Sequence, residues 1–279
     1  MRGRLAFMLK GPAVVVAAQV AAFWPVWRWY GSRVGDSAED VWGLLALAAA
    51  VFFAWKGKGG GARGGRRLLL PAALVVVYAA AYPFAMPLVR AALALTALGC
   101  TLSLWRFGRP FQPGLLGLLY LSLPVIPSLQ FYGGYPLRAA VAWGASLLLR
   151  LGGFAVVQEG ACLNWAGRLV WVDAPCSGVR MLWVGLFLAC ALACLYGLRP
   201  AATLAVLASA GVAILAGNVL RAAALFYVEA GVVEAPGWVH EYVGVVAFAA
   251  VASFILTAVR RIRKVTRCDT NSSTSEPAY

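Results

Sequence analysis

"YVGVVAFAAVASFILTAVRRIRK", residues 242–264, sets eighteen consecutive uncharged and mostly apolar residues directly before four basic ones in five positions. About 20 apolar residues cross a bilayer core as a helix. Lys and Arg at the end of such a run mark the cytoplasmic side. This stretch therefore reads as a membrane helix with its C-terminal end inside, and the rest of the chain repeats its pattern.

The 279 residues are 62% hydrophobic and only 12% charged, about half the charged fraction of a soluble domain. Backbone in lipid must satisfy its own hydrogen bonds, so the spans are helical. The net charge of +14 would suggest nucleic acid in a soluble protein. Here the basic residues fall in short loops between apolar runs, which makes them topology signals instead, and no nucleic-acid partner is expected. The single histidine, His240, excludes any site that needs two imidazoles. The six cysteines have no metal-ligand spacing, and Cys190 and Cys194 read as packing residues of an apolar helix. No metal and no cofactor is expected.

Working outward, the basic N-terminus "MRGRLAFMLK" precedes an apolar run at 12–27 with Trp24, Trp27, Trp29 and Tyr30 at its end. Its length and aromatic girdle read as an uncleaved first span rather than a signal peptide. An acidic loop with Asp36, Glu39 and Asp40 leads to a span at 41–55. The glycine-rich basic stretch "KGKGGGARGGRR" at 56–67 reads as a flexible cytoplasmic loop. Spans follow at 68–88 and 91–105, then Arg106 and Arg109 inside, then a fifth span at 114–131.

Residues 137–151, "LRAAVAWGASLLLRL", carry Arg138 and Arg150 at their ends. As a helix they would cover about 22 Å, short of the core thickness, so they read as a non-spanning helix before the sixth span. Residues 154–173 read as an extracytoplasmic β-hairpin turning at 164–168. Spans at 179–198, 201–228 and 242–259 complete the chain. The expected fold is thus an all-α polytopic bundle of about eight spans, an even number because both basic termini should be cytoplasmic. It forms one membrane domain over 1–262, with no internal repeat and no soluble domain, and the polar tail at 263–279 reads as disordered.

Three chemistry-bearing residues then fall at one depth. Cys176 precedes the sixth span, Arg221 lies about 21 residues, or roughly 30 Å, along the seventh from its inner end, and His240 precedes the eighth. Singly, each has a bland reading: an inert thiol, a snorkelling arginine and an interfacial anchor. Together they suggest a thiolate nucleophile at a helix N-terminus, with Arg180 one turn on. A histidine to protonate the leaving amine and an arginine for the oxyanion complete the set. Cys162 and Cys176 both fall outside, where a disulfide can form. Pairing would consume the nucleophile, so Cys176 is read as a thiol.

"PCSGVR" at 175–180, "NVLR" at 218–221 and "HEYVG" at 240–244 resemble the three signature blocks of the exosortase and archaeosortase family. The likeness covers about residues 110–262, which would be the catalytic part. It implies a catalytic triad of Cys176, Arg221 and His240, supported by Ser177, Gly178, Arg180 and Asn218. It implies a membrane cysteine protease and transpeptidase at the extracytoplasmic face of the cell membrane. Its partners would be the bilayer, an acceptor molecule, and exported proteins whose C-terminal sorting signal joins a short motif, often Pro-Glu-Pro in bacteria, to a transmembrane helix and a basic cluster. Such a tail would be held inside, which sets the motif at the level of the three residues. Pro175 departs from the small residue common before the cysteine, and a helix start tolerates it.

Three rivals are weaker. A serine protease using Ser177, His240 and Asp173 lacks the GxSxG elbow and sets its serine beside a better nucleophile. A transporter or polysaccharide-export component predicts paired broken helices or internal symmetry, which the sequence does not show. A catalytically dead scaffold leaves the coincidence of Cys, Arg and His unexplained.

Overall fold

A computed structural model describes residues 12–36, 41–57, 69–172 and 178–272. The glycine-rich loop read at 56–67, the extreme N-terminus, and Asp173, Cys176 and Ser177 lie wholly or largely outside the described residues. Among the described residues the regular structure is helical apart from one small sheet. In order it forms α1 (Pro12–Ala22), α2 (Trp24–Asp36), α3 (Val41–Lys56), α4 (Leu69–Ala81), α5 (Pro87–Phe107), α6 (Pro113–Leu121) and α7 (Ile126–Leu151). Then come β1 (Val157–Glu159), β2 (Cys162–Trp165), β3 (Arg168–Trp171), α8 (Val179–Leu195), α9 (Pro200–Glu229) and α10 (Trp238–Ser272).

Two compact units divide the chain: residues 1–125 with 193–203, and residues 126–192 with 204–279. In the first, α5 is the central helix. Its buried positions are mostly small, Ala91, Ala94, Ala97, Gly99, Cys100 and Ser103 among them, so neighbouring helices approach closely. A Cβ on Gly99 would stand 2.4 Å from Leu116 Cδ2 of α6. Arg106 at the end of α5 donates through Nε to the carbonyl of Ala54 at 2.6 Å, and through a terminal nitrogen to that of Trp55. A guanidinium thereby satisfies carbonyls that the last turn of α3 leaves without helical partners.

In the second unit, α7 and α9 form a core with the sheet through Val141, Ala145, Leu149, Leu163, Leu225 and Phe226. The sheet is antiparallel in the order β1-β2-β3, with Cys162 opposite Trp171. Ala166 and Gly167 connect β2 to β3, both at positive φ, 50° and 81°, as a two-residue turn that matches strand twist requires. Arg168 donates to the carbonyl of Ala230 at 2.9 Å and ties the sheet to the end of α9. Phe154 meets Trp165, Phe226 and Tyr227 edge to face beside it.

Several expectations change. Among the described residues, three helices are long and apolar enough to cross a membrane by themselves: Pro87–Phe107, Pro200–Glu229 and Trp238–Val265. Apart from α7, which qualifies only together with α6 as a bent pair, the others are shorter; α4, with 13 residues, spans only about 20 Å. The structure therefore shows a multi-pass helical membrane protein with three or four candidate spans among the described residues. The expected fifth span is broken, since α6 ends at Leu121 and α7 begins at Ile126. Pro124 lies in that break, where its missing N–H and its ring interrupt a helix, and Pro127 falls in the first turn of α7, where a proline is tolerated. The non-spanning helix at 137–151 is no separate element either: it is the second half of the 26-residue α7, which runs through Pro136. Finally, the tail expected to be disordered from 263 onward is helical as far as Ser272.

The hairpin is present, its turn inside the expected window, with β1 as an additional third strand. Cys162 is a buried thiol, not joined in a disulfide.

Candidate active site

The site is built on one face of α9. Asn218 and Arg221 are three residues apart, so they lie side by side on the helix surface. Each meets a different partner segment.

Asn218 is 4% exposed and donates through Nδ2 to the carbonyl of Ile214 at 2.8 Å. Its Oδ1 is buried and accepts no hydrogen bond among the described residues. The carboxamide lies against Gly178, where an added Cβ would stand 2.6 Å from Nδ2 and 2.8 Å from Cγ. Gly178 is buried at φ +76°, a conformation costly to any residue with a Cβ. Its carbonyl accepts the Leu182 N–H at 2.7 Å, which opens α8. The helix thus starts directly after the Cys-Ser-Gly sequence. Arg180 stands exposed in its first turn.

Arg221 lies over Gly244 of α10. Its Cζ, Nε and Nη2 would stand 3.4, 3.4 and 3.5 Å from a Cβ at that position, so the guanidinium lies nearly flat along the glycine. A larger side chain would displace it. Gly244 is four residues after His240, one turn down the same face of α10.

His240 sits inside the first turn of α10 rather than ahead of it. Its Nδ1 is 3.5 Å from Oε1 of Glu229, the last residue of α9. Glu229 is a site residue that sequence reasoning missed. Its signal was available, since Glu229 and Glu234 are the two carboxylates between the Arg221 and His240 blocks. A small cavity of about 20 Å³, room for roughly one water, lies beside the pair. Trp171 and Val172 from the end of the sheet wall it on one side, and Ala222 and Leu225 of α9 on the other.

The described residues on either side of the cysteine segment are therefore placed. The chain leaves the described residues after Val172, beside His240, and returns at Gly178, against Asn218. Arg221 lies on α9 between these two levels.

This arrangement defines a class first, a multi-pass membrane protein with a polar cluster set among helix ends. The description "Transmembrane exosortase (Exosortase_EpsH)" matches residues 11–257, nearly the whole chain, and the protein belongs to that family. The match thus extends well before residue 110, where the likeness read from the sequence begins. No curated protein and no solved structure matches the chain.

Proposed function

We propose that this protein is a membrane cysteine endopeptidase and transpeptidase that cleaves C-terminal sorting signals of membrane-tethered exported proteins, with Cys176 as nucleophile and Arg221 and His240 as its partners. The supporting observation is the bracketing of the cysteine segment: Val172 on the His240 side, Gly178 on the Asn218 side, and Arg221 between. Gly178 is two residues from Cys176, a reach of about 7 Å at most.

The thiolate of Cys176 attacks the scissile carbonyl carbon, and negative charge moves onto the carbonyl oxygen. Arg221, lying in the space that Gly244 leaves open, offers a cation to that oxyanion. As the C–N bond breaks, His240 as imidazolium gives its proton to the leaving amine. The thioester left on Cys176 is then opened by water or by an acceptor nucleophile. Glu229 acts as a positioning residue: its carboxylate beside Nδ1 favours the proton there and turns Nε2 toward the reaction. Gly178 and Asn218 hold the start of α8, whose N-terminal dipole favours the thiolate.

In this account about eight passes, counting the broken and short helices, leave both termini cytoplasmic and the sheet with the three reacting residues on the outer face of the cell membrane. The substrate's basic tail then stays inside, and its sorting motif, Pro-Glu-Pro or a relative of it, reaches the site.

The test is processing of a co-expressed reporter with a native C-terminal sorting signal, for the wild type and for Cys176→Ala, Arg221→Ala and His240→Ala at matched membrane levels. Loss of the size shift in all three supports the assignment. Normal processing by Cys176→Ala would contradict it and favour a transport or scaffold role.

A further inference from the structure

A second polar feature lies in the first unit, on residues outside the signature blocks. A cavity of about 620 Å³ opens between α2 and the turn joining α4 to α5. That is within the range of small-molecule sites, roughly 300–1,000 Å³, and far more than a bare ion needs.

Its wall is built by a simple periodicity. Trp24, Arg28 and Ser32 are spaced four apart, so they form one stripe along α2. Tyr82 and Arg90 come from the other side. Among the described residues no carboxylate lines the cavity, so its two guanidinium groups meet no described counter-charge there.

Arg90 is held in place by two contacts. Its Nε donates to the carbonyl of Ala85 at 2.7 Å, and its guanidinium carbon lies 4.6 Å over the Tyr82 ring. Neither contact uses its terminal nitrogens. Arg28 is exposed and has no ion-pair partner among the described residues. Two guanidinium groups on one cavity, one pre-oriented, suit the oxygens of a phosphate, which a planar fork of donors contacts in pairs. Trp24 and Trp29 add amphipathic rings of the kind that sit at lipid headgroup level.

We propose that this cavity binds the phosphate-bearing headgroup of an anionic membrane lipid. Arg28 and Arg90 take the phosphate oxygens, and Trp24, Trp29 and Tyr82 cover the attached polar group. The volume argues for a headgroup rather than free phosphate. The inference stands apart from the proposed peptidase chemistry, because it uses none of its residues.

The experiment is native mass spectrometry of the full chain in neutral detergent, titrated with short-chain phosphatidylglycerol and, separately, with the matching diacylglycerol that lacks the phosphate. Wild type should retain the phospholipid and not the diacylglycerol. Arg28→Gln/Arg90→Gln should weaken retention at least tenfold. Arg33→Gln, which removes an exposed charge from the same helix outside the cavity, should change it less than twofold. Arg28→Gln alone breaks no internal bond, so a loss of severalfold with an unchanged unfolding midpoint separates binding from folding. The proposal is overturned if Arg33→Gln weakens binding as much as the double variant, or if diacylglycerol binds as well. Displacement of the lipid by millimolar inorganic phosphate would overturn the lipid assignment in favour of a soluble phosphate ligand.

Discussion

The Nδ1 of His240 stands 3.5 Å from Oε1 of Glu229, across the gap between the last two helices. Both side chains are substantially exposed, 38% and 52%, so the pair adds at most about 1 kcal/mol to stability. In the proposed mechanism its value is orientation, and that separates two measurable effects. Glu229→Gln should leave the unfolding midpoint almost unchanged while lowering kcat about tenfold at similar KM, with partial rescue by Glu229→Asp. Equal loss in both variants, stability included, would make Glu229 merely structural.

Two glycines of the site predict opposite outcomes for the same substitution. Gly178→Ala puts a Cβ 2.6 Å from the Asn218 carboxamide on backbone at φ +76°, so it should cost about 1–3 kcal/mol and abolish processing. Gly244→Ala meets Arg221 at ordinary contact distance within a helix, so it should retain processing and gain up to about 1 kcal/mol. Gly244→Leu should displace the guanidinium and lose activity. Reporter processing beside thermal unfolding of the three variants checks this pattern.

Asn218 carries a buried Oδ1 that accepts nothing among the described residues, one turn of α9 from Arg221. In the proposed site it serves the backbone of the cysteine segment. Asn218→Leu, nearly isosteric but without the polar atoms, should keep the fold and reduce processing at least tenfold. Retained activity in a well-folded Asn218→Leu protein would remove it from the site.

Cys162 offers a pH test outside the spans. Burial, and then the nearby Glu159, push its thiol above the ordinary value of 9.0, against a smaller opposing effect of Arg138. The neutral thiol is the form the fold favours. Any stability it contributes is complete below pH 9 and declines as pH rises beyond it. Iodoacetamide at pH 8 should therefore leave Cys162 unmodified in the folded protein and label it after unfolding. Rapid labelling in the native state would contradict this.

The legible parts of the sequence were those with redundant signals. The uncharged run at 242–259 appears within α10, and the turn window at 164–168 contains the positive-φ pair Ala166 and Gly167. The start of α8 directly after Gly178 was also readable, because a glycine and the following apolar run mark a helix boundary. Hydropathy was less informative where it gave only an average. It passed over Pro124 in the run at 114–131, and it took Arg138 and Arg150 as helix ends although α7 runs through the first and only the second lies in its last turn. Glu229 escaped notice because a carboxylate at a helix end has an ordinary solvent-facing reading. Only the approach of α10 pairs it with His240.

The most direct test of the central claim is the intact mass of the purified full-length protein after rapid mixing with a synthetic peptide that carries a sorting motif and its transmembrane segment. The account predicts a transient adduct equal to the N-terminal part of the peptide, mapped by digestion to Cys176, cleared by hydroxylamine and absent from Cys176→Ala. Cleavage without any thioester, or an adduct on Ser177 instead, would contradict it.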